Sequence, residues 1–172
     1  MMLTFRCTRK LLEYLDVDPI EDPSPSTGKL GDWYANLVPT YSGDLILFVN
    51  EESLITVAVP TVLADDLILT FRSRVRNLLL MLDVSLQEID REISHYHEVR
   101  FAKTASRSVL GSMNDIAWNY QYIAARGDES GTLSLSDAEY QLSNMPSIAR
   151  DSFPADVARK LLETKDRKNG AS

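Results

Sequence analysis

"DWYANLVPTYSGDLILFVNEESLITVAVPT", residues 32–61, decides the fold. Three runs within it, 32–40, 44–51 and 53–61, are rich in β-branched and aromatic residues, and the connections "YSGD" and "NEES" are short and of hairpin type. The spacing predicts a three-stranded meander. The middle run is apolar from Leu45 to Val49, the pattern of a strand covered on both faces, which places it inside the sheet. In the first run Trp33 and Ala35 point to one side, and Asp32, Tyr34 and Asn36 to the other.

Outward from the meander, "MLTFRCT" (2–8) alternates apolar and polar residues as a strand does, and Thr8 caps a short helix with Leu11, Leu12 and Leu15 on one face. Three prolines make 17–29 an irregular loop. After the meander, Leu67, Phe71, Val75, Leu78 and Leu82 recur at helical steps between 64 and 82, with Arg72, Arg74 and Arg76 off that stripe. Ser85 and Glu88 form a capping box for a second helix with Leu86, Ile89 and Ile93 inward. "EVRFAK" (98–103) reads as a further strand, and a helix follows over about 108–124. "RGDESG" (126–131) is a polar break, Ser136 with Glu139 offers another capping box, and Pro154 opens a last helix. The tail 165–172 has no apolar content and reads as disordered.

These elements predict an α+β fold: an antiparallel or mixed sheet of four to five strands, helices packed mainly on one face, in one domain over 1–164. Phe48, Phe71, Leu78 and Met113, each on the inward stripe of its element, are expected in one core.

Composition narrows the function. The 172 residues carry 18 basic and 25 acidic side chains, a net charge of −7. Such a surface repels phosphate and argues against broad nucleic-acid binding. Cys7 stands alone, so no disulfide and no cysteine-based zinc site forms within the chain, and a reducing, cytoplasmic setting is expected. No apolar run approaches the roughly 18 residues of a membrane span, and no secretory signal opens the chain, so no membrane association is expected. Walker, Gly-x-Gly-x-x-Gly and Gly-x-Ser-x-Gly patterns are missing. Glu92 precedes His95 by three, as in carboxylate–histidine metal motifs, but those motifs need a second copy, and His97 is the only other histidine. Neither a metal nor a cofactor is expected. Nothing in the sequence sets an oligomeric state.

"RSVLGSMND" (107–115) stands out because it opens a helix with poor helix formers. On that helix Val109, Leu110, Met113, Ile116, Ala117, Tyr120, Ile123 and Ala124 form an apolar stripe, while Ser108, Gly111, Ser112, Asp115 and Asn119 fall on the other side. Two readings stand. In the structural one, the serines cap the helix, Asp115 bonds a loop and Gly111 touches a crossing strand. In the functional one, Arg107, Ser108, Ser112, Asn114 and Asp115 line a polar pocket, with Trp33, Asn36 and Asn50 as neighbours and Arg6, Arg100 and Arg107 as sources of positive charge.

The blocks "RCTRKLL" (6–12), "LGDWYANL" (30–37), "LILFVNEESL" (45–54) and "RSVLGSMND" together resemble an uncharacterised bacterial domain family, a domain of unknown function. The resemblance implies a stand-alone prokaryotic or phage domain and no particular reaction. Two function classes are open: a binding or regulatory module that recognises a protein, peptide or small anionic ligand near the helix beginning at Ser108, and a small hydrolase or nuclease of unfamiliar type that uses Asp115 or Glu51 with Arg107. The first is favoured, because no acid–base or metal constellation is complete.

Overall fold

The computed structural model describes residues 1–130, 134–147 and 150–164, and the side chains of all of these except 123–130. The tail expected at 165–172, and the side chains of Ile123 and Ala124, lie outside the described residues. Five strands form one mixed sheet: β1 (Met2–Cys7), β2 (Trp33–Thr40), β3 (Gly43–Asn50), β4 (Thr56–Pro60) and β5 (Glu98–Lys103), in the order β4-β3-β2-β1-β5. The meander is present, antiparallel throughout, with β3 interior as its apolar run requires. β1 runs parallel to both β2 and β5. The helices are α1 (Arg9–Leu15), α2 (Leu67–Met81), α3 (Leu86–Ile93), α4 (Arg107–Ser130), α5 (Leu135–Ser143) and α6 (Pro154–Glu163). The fold is α+β.

Sheet register creates two cores. Phe5 lies opposite Trp33, and Ala35 opposite Phe48, so alternate residues of neighbouring strands share a face. Leu3, Phe5, Trp33, Phe48 and Val57 pack against α1, α2, α3 and α6. Tyr34, Leu47, Val49 and Ala58 pack on the other side against α4 and α5. Phe48, Phe71 and Leu78 are buried together as expected, but Met113 is not with them: it is fully buried in the second core. The helical stripe told which side of α4 is inward, but not which face of the sheet it meets.

Local chemistry explains most boundaries. The Thr8 hydroxyl accepts from Leu11 N–H, and Ser85 from Glu88 N–H. A 3₁₀ turn over Thr61–Asp66 precedes α2, whose true cap is Asp66. The α5 cap is Ser134 with Asp137, two residues before the pair read from the sequence, and Glu139 is thereby freed to point inward. Leu86 is exposed, whereas Ile89 and Ile93 are buried. Helix α4 continues to Ser130, through most of the segment expected to break it.

The proline-rich loop is anchored by a buried carboxylate. Glu92 accepts hydrogen bonds from Lys29 N–H (2.7 Å), Leu30 N–H (3.2 Å) and the Tyr96 hydroxyl (2.9 Å). Tyr96 in turn accepts from Trp33 Nε1 at 3.3 Å, and burial together with Glu92 holds its hydroxyl well above the usual tyrosine range. Gly28 lets the loop close on this group: a Cβ there would collide with Glu92 Oε1.

Candidate functional site

Helix α4 starts where β5 ends, and one serine fixes the start. Ser106 Oγ accepts from Val109 N–H, and Ser106 N–H donates to the Tyr34 hydroxyl at 2.9 Å. The cap is therefore Ser106, not Ser108 or Ser112. With Val109, Met113 and Tyr120 buried against the sheet, the opposite face of α4 is left outward. Ser108, Gly111, Asp115, Trp118 and Tyr122 follow one another along it at three- and four-residue steps, with Asn119 beside Asp115 one turn on. A Cβ built on Gly111 meets no atom within 4 Å. Among the described residues no crossing strand explains this glycine, and the face is open.

Ser112, Asp115, Ile116 and Asn119 form one wall of a cleft of about 150 Å³. Leu142, Met145, Pro146 and Pro154 form the other, and Leu54 with Thr56 lies beneath. Asn119 donates from Nδ2 to the Asp115 carbonyl, so it stiffens its own turn. Among the described residues the side chains of Ser112 and Asp115 hold no hydrogen-bond partner. Among the described residues no lysine, arginine or histidine lines the cleft. Two exposed aromatic rings, Trp118 and Tyr122, stack one turn further on, with centroids 5.9 Å apart and planes 5° from parallel.

The candidate residues thus divide. Ser112 and Asp115 come together at the cleft. Arg107, Ser108 and Asn114 are exposed on α4 outside its lining. Arg107 precedes Asp115 by eight residues, about 12 Å of helix rise, so the two do not converge on one small ligand. Trp33 is fully buried on the opposite sheet face, as the alternation of β2 requires. Asn50 is also fully buried: Nδ2 donates to the carbonyls of Leu30 (2.7 Å) and Asp32 (3.3 Å), while Oδ1 accepts from Ser53 N–H and Oγ. It is a turn residue with its bonding capacity used. Asn36 Oδ1 accepts from the Thr8 hydroxyl at 2.7 Å.

The polar wall expected around Asp32 forms a separate cluster. Arg6 lies beside Tyr34 in the sheet register and pairs with Asp32 at 2.9 Å. Asp32 also accepts from Ser26 N–H and Oγ. Glu51 lies near this cluster; its carboxyl is raised by burial first and by Asp32 second, against the pull of Arg6. Neither Arg6 nor Glu51 reaches the cleft. His95 Nδ1 is within 2.8 Å of the Thr27 hydroxyl, while Glu92 serves the loop anchor.

The sequence reading missed Trp118 and Tyr122. Their spacing of four, on the polar side of an otherwise regular amphipathic helix, was the available signal.

Residues 4–156 match the family DUF6933, a domain of unknown function. The chain belongs to this family. The DUF6933 match spans every residue that lines the cleft, from Leu54 to Pro154. Neither a curated protein nor a solved structure gives a match.

Proposed function

We propose that this DUF6933 domain is a binding module that recognises a protein or peptide segment through the cleft on α4. The observation that carries this reading is the cleft's size and lining. About 150 Å³ accepts one group of roughly benzene's size; small-molecule sites run from about 300 to 1,000 Å³. The cleft therefore suits a single apolar side chain of a larger partner. Its rim holds an unpaired carboxylate, Asp115, placed to accept from a backbone N–H or a cationic side chain of that segment. The lining holds no cation among the described residues, which argues for a peptide over a small anion. Exposed Trp118 and Tyr122 extend the contact, since large amphipathic rings are the residue type on which binding energy concentrates. A cytoplasmic setting in a prokaryote or phage-infected cell belongs to the same reading, supported by the lone, buried thiol of Cys7 and the resemblance of the four sequence blocks.

A random peptide library displayed against the purified domain tests this. Selected peptides should share one apolar anchor position. Ser112→Trp, which plugs the cleft, and Asp115→Asn should each weaken binding at least about tenfold, with melting changed by no more than the ~0.5 kcal/mol typical of surface positions. Peptides that bind both variants as tightly as the wild type would place recognition elsewhere.

A further inference from the structure

A buried acid lies next to the cleft floor. Thr56, on that floor, shares a 3.0 Å hydrogen bond with the Tyr120 hydroxyl, and Tyr120 is electrostatically coupled to Glu139 of α5. Glu139 is 1% exposed. Its Oε1 is paired with Arg74 of α2, yet its Oε2 and Arg74 Nε are buried with no hydrogen-bond partner among the described residues. An ionised carboxylate taken out of water and held only by Arg74 and the Ala58 amide is costly. Arginine does not give up its proton, and Arg74 keeps 19% of its side chain in solvent. The carboxyl is therefore the member that sheds charge.

Its surroundings agree. Arg74 approaches from α2, the Tyr120 hydroxyl from α4 and the Ala58 N–H from β4, while among the described residues no charged group of β4 or α6 bears on it. Burial pushes the Glu139 carboxyl up to about 7, against the pull of Arg74 and of the Ala58 amide. Glu139 also sits where α5 covers the outer edge of β4, and α5 supplies the cleft wall at Leu142.

We propose that Glu139 is a proton-operated latch for α5: protonated, it keeps the helix docked on the β4 edge, and its ionisation loosens the helix and the cleft wall that the helix provides. The effect on ligand access rests on the cleft reading; the docking of α5 does not. The sign follows from linkage. A carboxyl that holds its proton more tightly when folded contributes stability that is full below its unfolded value and is lost as pH rises through about 7.

Hydrogen exchange on the free protein, corrected for intrinsic rates, tests the latch without any ligand. Between roughly pH 6 and 8.5, protection of residues 135–143 should fall about tenfold and then level off, since each unit between the unfolded and folded values is worth up to tenfold and nothing further is lost once both states are ionised. Helix α3 serves as the internal control and should hold steady. Glu139→Gln, which cannot ionise, should show no such fall. Wild-type protection that ignores pH, or a Gln variant that titrates like wild type, would overturn the proposal. Should the variant fail to fold, a ¹³C titration of the Glu139 carboxyl in wild type decides: a midpoint near 7 supports the latch, and one below about 5 removes it. Loss of peptide binding in the library experiment would leave these outcomes unchanged, so the two readings fail separately.

Discussion

Phe71→Ala should remove more stability than an average core truncation. The ring is fully buried and touches four others: Phe48 at 4.6 Å, Phe5 at 4.9 Å, Trp33 at 5.2 Å and Tyr96 at 5.8 Å between centroids. Loss of a buried phenylalanine side chain costs about 3–5 kcal/mol. Each ring pair adds about 0.5–1.5 kcal/mol beyond area burial, though such terms do not sum. The neighbours sit on three different strands and the segment after α3, so they cannot collapse together into the space left. The expected loss is therefore in the upper part of that range, about 4–5 kcal/mol, against a typical total of about 5–15. For a chain of this size that lowers Tm by roughly 10–20 °C. Urea unfolding should show the midpoint falling with an unchanged slope. A loss below about 1 kcal/mol would refute the placement of Phe71 at the centre of the first core. Met113→Ala extends the test. It should cost about 2–5 kcal/mol by itself, and because Met113 lies across the sheet, the double variant should be additive within about 0.5 kcal/mol. Strong coupling would mean that the two cores are one.

Two further substitutions probe the glycines. Gly28→Ala brings a Cβ against Glu92 Oε1, so it should break the charge-assisted bonds that pin the loop and cost about 1–3 kcal/mol in a melting experiment. Gly111→Ala meets open space and should raise stability by up to about 1 kcal/mol, the helix-propensity difference. A lowered melting temperature for Gly111→Ala would reveal a close contact on that face.

The sheet was legible because its strands obey period two and its turns announce themselves. Leu45–Val49 gave the interior strand, and Thr8, Ser85 and Pro154 gave three helix starts through chemistry confined to one turn. What sequence patterns missed was long-range. Nothing within α4 tells which sheet face Met113 meets, and nothing within "GDWYANL" tells that Trp33 donates to Tyr96. Asn50 looked like a ligand residue because a polar side chain at a strand end is ambiguous until its partners, the carbonyls of Leu30 and Asp32, are in place. Ser136 and Glu139 matched the capping-box spacing, but Ser134 and Asp137 match it as well, and burial of Glu139 beside Arg74 selects the second frame. At the candidate site, Ser112 and Asp115 were readable from helical phase, whereas the opposing wall at Leu142, Met145 and Pro154 comes from distant segments with no shared periodicity.

The pairing of Met2 with Glu98 and of Cys7 with Lys103 has a kinetic consequence. β1 is flanked by β2 and β5, but its β5 neighbour is formed from sequence far downstream. Closing that contact carries a large loop entropy before the strand-to-strand bonds return anything, which slows folding. On the ribosome, the β5 side of β1 stays unpaired until β5 and the helices before it have emerged. A nascent chain stopped short of residue 98 would expose an apolar strand, Leu3 and Phe5 included, with one open edge, the kind of surface that recruits chaperones and seeds aggregation. Completion of β5 is thus the step at which β1 loses its last open edge.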